Sequence, residues 1–369
     1  MKLTRTSRVA AVLAASSLAL AACGSDANNA NEGSGAEGDT ASGGDLSGTL
    51  RGAGASSQAS AMEGWIAGFQ GDNPEVTINY DPVGSGGGRE QFLAGGTAFA
   101  GSDAALKDQE LASAEERCGA GGLVEVPLYI SPIAVAFNLP GVDSVNLKPA
   151  TIAGIFNQQI KNWNAPEIAE DNPDAELPDL PITPVNRADD SGTTENFTEY
   201  LAEAAPDVWT EEPDGVWPIS GGEAGQGTSG VIQATNAAEG AITYADASQV
   251  GELGTVAVGV GEEFVEYSPE AAASLVENSP RVEGRPAGSL ALELARDTAE
   301  SGNYPIVLVS YALACKTYDD AKDAQLVKGF LTYIASEEGQ DAAVESAGSA
   351  PISDSLRTDA MEQIEQIGA

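Results

Sequence analysis

The chain has 369 residues and 37.5 kDa, enough for one large domain or two lobes with separate cores. It carries 56 acidic against 17 basic residues and no histidine, for a formal net charge of −39. That field disfavours nucleic-acid backbones and anionic membrane faces as partners, and the lack of histidine removes Ser-His-Asp and Cys-His nucleophiles and every His-ligated metal site.

Lys2, Arg5 and Arg8 precede an apolar, small-residue run from Val9 to Ala22, the pattern of a secretory leader over 1–22. The run ends in Leu20-Ala21-Ala22-Cys23-Gly24. This resembles a bacterial lipobox, in which cleavage precedes the cysteine and Cys23 takes the lipid. Cleavage there takes three basic and no acidic residues, so the mature chain falls to −42. Residues 25–45 hold no large apolar side chain and read, within a segment 23–47, as a disordered tether. Cys118 and Cys315 remain, and an even pair outside the cytosol invites a disulfide, the alternative being two buried thiols.

From residue 48 onward, short apolar runs alternate with helix-like stretches, as in α/β chains. Strands are predicted at 77–80, 122–127, 133–138, 182–186, 241–244 and 306–310. Helices are predicted at 58–70, 194–204 and 326–335, each with an apolar face, and 171–179 and 205–222 read as surface loops. Between strand ends and helix starts a glycine-and-hydroxyl pattern recurs four times. It occurs at Gly52-Ala53-Gly54-Ala55-Ser56-Ser57, at Gly84-Ser85-Gly86-Gly87-Gly88, at Ala100-Gly101-Ser102-Asp103 before a helix expected over 104–111, and at Arg187-Ala188-Asp189-Asp190-Ser191-Gly192-Thr193-Thr194. A helix start offers unpaired N–H groups and a positive dipole end, and glycine lets an anion approach. Several such starts together bind an oxyanion without net positive charge. The Gly84–Gly88 loop is not a nucleotide P-loop, because no Gly-Lys-Ser/Thr follows.

At these segments the chain resembles the phosphate-binding protein of bacterial phosphate ABC transporters, in its actinobacterial lipoprotein form. The likeness spans roughly 48–360 and is carried by Gly52 to Ser56, by Tyr80 to Gly88 and by the full Arg-x-Asp-x-Ser-Gly-Thr-Thr signature at Arg187 to Thr194. The resemblance implies an α/β, two-lobed periplasmic-binding-protein-like fold of type II, with the ligand in a cleft between lobes joined by two hinge strands. It implies a first lobe of 48–127 with 307–369 and a second of 128–306. It also implies a ligand set of Ser56, Ser57, Ser85, Asp103, Arg187, Ser191, Gly192 and Thr193, with Asp189 orienting Arg187. Ser57 stands where many members carry an aromatic residue.

The chemistry of these residues agrees. Arg187 can fork onto two oxygens of one tetrahedral anion. Asp103 beside an anion is favourable only if the ligand still has a proton to donate, as hydrogen phosphate does and sulfate does not. The expectation is extracytoplasmic binding of inorganic phosphate and its delivery to a membrane permease, with Cys23 anchoring the protein to the outer face of the membrane. No cofactor, metal, nucleic acid or catalysis is expected. The alternatives are another oxyanion, a phosphate-sensing or adhesion role on the same scaffold, or phosphate-ester hydrolysis at Ser191 or Thr193.

Overall fold

Val76 and Ile78 are buried while Thr77 and Asn79 face water, the two-residue alternation of an edge strand covered on one side. By contrast, all fifteen residues of Leu123–Phe137 are buried, as in a strand covered on both faces. These two patterns mark the margin and the centre of one sheet system in the computed structural model, which describes residues 46–369. The leader, Cys23 and nearly all of the tether lie outside the described residues.

The strands are β1 Gly48–Gly54, β2 Val76–Asp81, β3 Phe99–Ser102, β4 Leu123–Phe137, β5 Ser144–Leu147, β6 Thr183–Arg187, β7 Glu223–Gly225, β8 Ala241–Asp246, β9 Gly254–Val260, β10 Glu263–Val265 and β11 Val307–Cys315. The helices are α1 Ala59–Asp72, α2 Ser85–Leu93, α3 Asp108–Cys118, α4 Pro149–Phe156, α5 Pro166–Asp171, α6 Gly192–Ala204, α7 Gly227–Ala237, α8 Pro269–Glu277, α9 Ala321–Ala335, α10 Glu337–Ala347 and α11 Asp354–Ile364.

Strand order is β2-β1-β3-β11-β4-β8-β6-β7, with β9 pairing β4, β5 and β10. The first part is parallel across β2, β1 and β3, with α1 and α2 as crossovers, and then antiparallel across β11 and β4. In the second part β8, β6 and β7 run parallel. The strand β4 belongs to both. Residues Leu123 to Pro132 pair with β11, and Ile133 to Phe137 pair with β8. The sequence reading places two strands here, 122–127 and 133–138, on either side of a stretch bounded by Pro127 and Pro132, which each lack a ladder N–H. The structure carries it through: a register shift at Ser310/Tyr311 lies beside Pro127, and Pro132 sits at the point where β4 changes partner. This is a two-lobed α/β fold with a mixed, curled sheet.

The other predicted strands and helices are present, several of them longer than expected. The helix expected over 104–111 begins instead at Asp108. Ser102 donates to the Ala104 carbonyl (2.6 Å) and the Leu106 N–H donates to Glu125 (2.7 Å), which holds 104–107 out of the helix. The start is then capped by Glu110, which accepts from the Lys107 N–H (2.8 Å).

Helix α1 turns Ala61, Met62, Trp65 and Phe69 inward. Trp65 satisfies its indole N–H on the Gly339 carbonyl (2.7 Å) and meets Tyr129 edge-on, with ring centroids 6.0 Å apart. In the second part Phe197 stacks on Tyr244, with centroids 4.3 Å apart, beneath the start of α6. The segment 281–292 packs back on the first part: the Arg285 guanidinium meets the buried Glu125 carboxylate at 2.6 Å, and the Leu292 N–H donates to the Tyr311 hydroxyl (3.0 Å).

Cys118, the last residue of α3, is disulfide-bonded to Cys315, the last residue of β11, across 197 residues of sequence. Closing a loop that long restricts the unfolded chain far more than the folded one. The Cys118→Ser/Cys315→Ser double variant is expected to lose on the order of 2–5 kcal/mol of unfolding free energy in urea melts; a loss below about 1 kcal/mol would contradict this account.

Candidate anion-binding site

Four helices begin at the carboxyl ends of parallel strands β1, β2, β6 and β7, where open α/β sheets place ligands. Helix α1 follows Ser56-Ser57-Gln58, α2 begins at Ser85, α6 at Gly192 and α7 at Gly227. Gly86 to Gly88, read from sequence as a loop, form part of the first turns of α2. Gly88 is required there, because a Cβ on it would lie 2.3 Å from the Gly54 Cα.

Asp103 follows β3 and is 2 % exposed. Its carboxylate accepts from the Ser57 hydroxyl (2.8 Å to each oxygen), from the Thr193 hydroxyl (3.0 Å) and from the Ser310 hydroxyl. Its N–H donates to the Ser85 hydroxyl (3.1 Å), and its carbonyl accepts from Asn196 (2.7 Å). Burial pushes the Asp103 carboxyl above the usual range, opposed by the hydroxyl bonds from Ser310, Ser57 and Thr193 and by the charge of Arg187.

Arg187 ends β6 and is 3 % exposed. Its Nε donates to Asp189 (2.9 Å), and its Nη2 donates to both Asp189 and the Ser56 hydroxyl, the latter at 3.1 Å. Burial raises the Asp189 carboxyl, but the Arg187 guanidinium and the Gly227 N–H (3.0 Å) more than offset this and hold it below the usual range. Asp189 therefore fixes Arg187 and ties it to the start of α7. Gly192 packs so closely that a Cβ on it would lie 2.7 Å from both the Asp103 Cβ and the Ser85 hydroxyl oxygen. The Ser191 hydroxyl caps α6 by accepting the Thr194 N–H (3.3 Å), and the Thr194 hydroxyl bonds Tyr244 (2.8 Å), so Thr194 braces the helix against the aromatic stack.

Ser56, Ser57, Ser85, Asp103, Arg187, Asp189, Gly192 and Thr193 thus converge on one buried locus fed from both parts of the sheet, with Ser191 capping the helix that carries two of them. The hydroxyl of Ser57, expected to matter only through its N–H, instead faces Asp103.

Sequence reasoning missed four participants. Thr228 meets Ser56 through its N–H and its hydroxyl, each at 3.1 Å, and Gly227 serves Asp189. Their signal was readable, since Gly225-Gln226-Gly227-Thr228-Ser229-Gly230 is a fifth copy of the glycine–hydroxyl pattern. Gln249, which donates to the Ser56 and Ser57 carbonyls (2.9 and 3.0 Å), and Ser310, lying inside an apolar strand, carried no local signal. Among the described residues no cluster of three or more Cys, Asp or Glu is arranged to hold a metal ion.

Further out, charges bridge the two parts. Lys107 lies 3.8 Å from Glu195 and 3.6 Å from Asp214, and Arg89 lies 3.7 Å from Asp190. Burial raises Glu195 to about 7, against the lowering effect of Lys107 and Arg89.

A fold of two α/β parts sharing one long strand, with helix starts meeting at a buried donor-rich locus, is that of a solute-binding protein, and residues 39–338 match the model of the PBP superfamily domain. Among curated proteins the chain is 36 % identical over 344 residues to phosphate-binding protein PstS 3 of Mycobacterium leprae, covering 90 % of each. It is 33 % identical over 371 residues to phosphate-binding protein PstS 2 of Mycobacterium tuberculosis, covering 97 % of each. The chain belongs to this PstS family of binding proteins. Solved structures with the same fold include the periplasmic phosphate-binding protein PfluDING (TM-score 0.67, 22 % identity, 84 % of this chain and 92 % of that one). A phosphate-binding protein from Stenotrophomonas maltophilia also shares it (TM-score 0.64, 21 % identity, 86 % and 94 %).

Glu195 supplies a pH test of the contact between the two parts. Its folded-state value near 7 stands above the usual 4.5, so the folded protein favours the protonated form; stability present at low pH is lost as pH rises through about 7. Glu195→Gln is expected to gain up to about 3 kcal/mol over the native chain between pH 4 and pH 8 in denaturant melts. A pH-independent difference would remove this role.

Proposed function

We propose that this chain binds inorganic phosphate, as the hydrogen phosphate ion, between its lobes and delivers it to the membrane permease of an ABC importer. The observation that carries this reading is the Asp103 carboxylate. An ionised carboxylate offers about four lone-pair sites. Ser57, Thr193 and Ser310 occupy three of them, which leaves capacity for one proton donor. Around it stand Arg187, the hydroxyls of Ser56 and Ser85, and the N–H groups of Ser57, Gly192 and Thr193, all suited to oxyanion oxygens. A protonated tetraoxyanion satisfies both sets. Sulfate would set an acceptor against Asp103 and leave both unpaired.

The lobes on this reading are 48–127 with 307–369, and 128–306. Ser56, Ser57, Ser85 and Asp103 come from the first, and Arg187 to Thr193 from the second. Neither half is complete alone, so the ligand favours the closed form. Family and disulfide agree with a location outside the cytoplasm. The finer assignment is that lipid on Cys23 holds the protein at the outer membrane face, with the acidic tether itself kept extended by its charge. The names of the relatives, which are phosphate-binding proteins, support the ligand.

Calorimetric titration tests the reading. Phosphate is expected to bind at least about 100-fold tighter than sulfate, and Asp103→Asn, whose amide can donate to sulfate, to shrink that ratio by tenfold or more, roughly. Comparable binding of both anions by the native chain, or an unchanged ratio in the variant, contradicts it. A second variant probes closure. Gly192→Ala keeps α6 but inserts a methyl group where Asp103 and Ser85 must approach, so phosphate affinity is expected to fall about 100-fold or more while the unfolding free energy from urea melts stays within about 1 kcal/mol of native. Native-like phosphate affinity in that variant would show that the closure account is wrong.

A further inference from the structure

At the end of β1 away from Ser56 lies a pocket of about 290 Å3, lined by Thr49, Arg51, Thr97, Arg117, Tyr318 and Asp323 and by the turn at Gly95-Gly96. Arg51 alone stands roughly 10 Å back along the strand from Gly54, given the rise of a β-strand, so the pocket is separate from the cleft. In a chain with only 17 basic residues against 56 acidic ones, two arginines share this one concavity. Among the described residues neither has a carboxylate within 4 Å, whereas Arg89, Arg187, Arg281, Arg285, Arg296 and Arg357 all do. Thr97, 8 % exposed, adds a buried hydroxyl oxygen with no hydrogen-bond partner.

The walls are held in place. Arg117 is adjacent to the disulfide cysteine Cys118, donates from Nε to the Phe92 carbonyl (3.3 Å) and lies 5.9 Å from the centre of the Phe92 ring, which commits its Nε and leaves its terminal nitrogens unassigned. Tyr318 is locked by its hydroxyl, which donates to the Ala98 carbonyl (2.7 Å) and accepts from the N–H of the other disulfide cysteine, Cys315 (3.1 Å). Thr49 and Arg51 lie two residues apart on β1 and so share one face of it. Two permanently charged forks, Arg117 on a braced wall and Arg51 free on the strand beside it, suit an oxyanion. Asp323 narrows the class, since beside an anion it is useful only to a ligand that also brings a hydroxyl or another donor.

We infer that this pocket is a second ligand site, taking a small phosphate ester that bears hydroxyl groups, with Arg51 and Arg117 on the phosphate and Asp323 and Thr97 on the hydroxyls. The chemistry is shared by free glycerol 3-phosphate and by the glycerol-phosphate headgroup of phosphatidylglycerol, and two arms separate these sources. The inference does not depend on what the cleft binds.

The test titrates glycerol 3-phosphate into the full-length chain at low ionic strength and, separately, sediments the chain with phosphatidylcholine vesicles with and without phosphatidylglycerol. Arg51→Gln, an exposed substitution that leaves the core untouched, is expected to weaken saturable binding about tenfold. Adding Arg117→Gln is expected to abolish it, and the cleft's phosphate titration to stay native in both variants. Binding of the soluble ester alone, or of phosphatidylglycerol vesicles alone, each in an Arg51-dependent way, supports the site and names its source. Absence of saturable binding in both arms, or binding indifferent to Arg51 and Arg117, overturns it.

Discussion

Everything at the centre of the molecule turns on one buried carboxylate kept ionisable by hydroxyl groups. Removing Asp103 from water costs several kcal/mol as an ion, and burial indeed raises its proton affinity. Ser57, Thr193 and Ser310 oppose that rise with donated hydrogen bonds. Thr193 comes from β6–α6 of the second part and the two serines from the first, so the solvation of this one group is completed only when the parts meet. The hydroxyls define the chemistry of the locus and also draw the lobes together.

The overall charge of −39 is no obstacle to an anionic ligand at such a place. The field in a closed cleft is set by the nearest dipoles and charges, since the low local dielectric amplifies them and surface charge is screened within about 10 Å at ordinary salt. Here the nearest groups are the N-termini of α1, α2, α6 and α7 and the guanidinium of Arg187, with Asp189 trimming its charge and fixing its plane. Positive potential comes from backbone geometry, which explains how so acidic a chain can build the site from serine, threonine and glycine.

Much of this was legible in the sequence because helix starts are locally encoded. The Gly52–Ser57, Gly84–Gly88 and Arg187–Thr194 segments announce themselves through residue types that cap, turn or admit close approach, and all three lie at the locus. What was illegible has non-local causes. The stretch after Asp103 reads as helix, yet Glu125, nineteen residues from Leu106, accepts the Leu106 N–H and keeps the stretch out of the helix. Ser310 is one polar residue in an apolar strand, and only the β11–β4 and β11–β3 pairings bring it to Asp103. The fifth glycine–hydroxyl segment at 225–230 was readable by the same rule as the others, and the short β7 before it hid it.

The unbroken run of β4 sets how the two parts can move. Its residues pass from one set of partners to the other at Pro132-Ile133, where the Ile133 N–H reaches across to the Ile306 carbonyl (2.7 Å) on the chain's return path. Both connections at this crossing are buried, β4 as continuous strand and the return path at 303–306 as irregular backbone leading into β11. Any opening must therefore resemble the flexing of a leaf spring, a change of twist taken up by a few buried residues of β4 and of the short return path beside it.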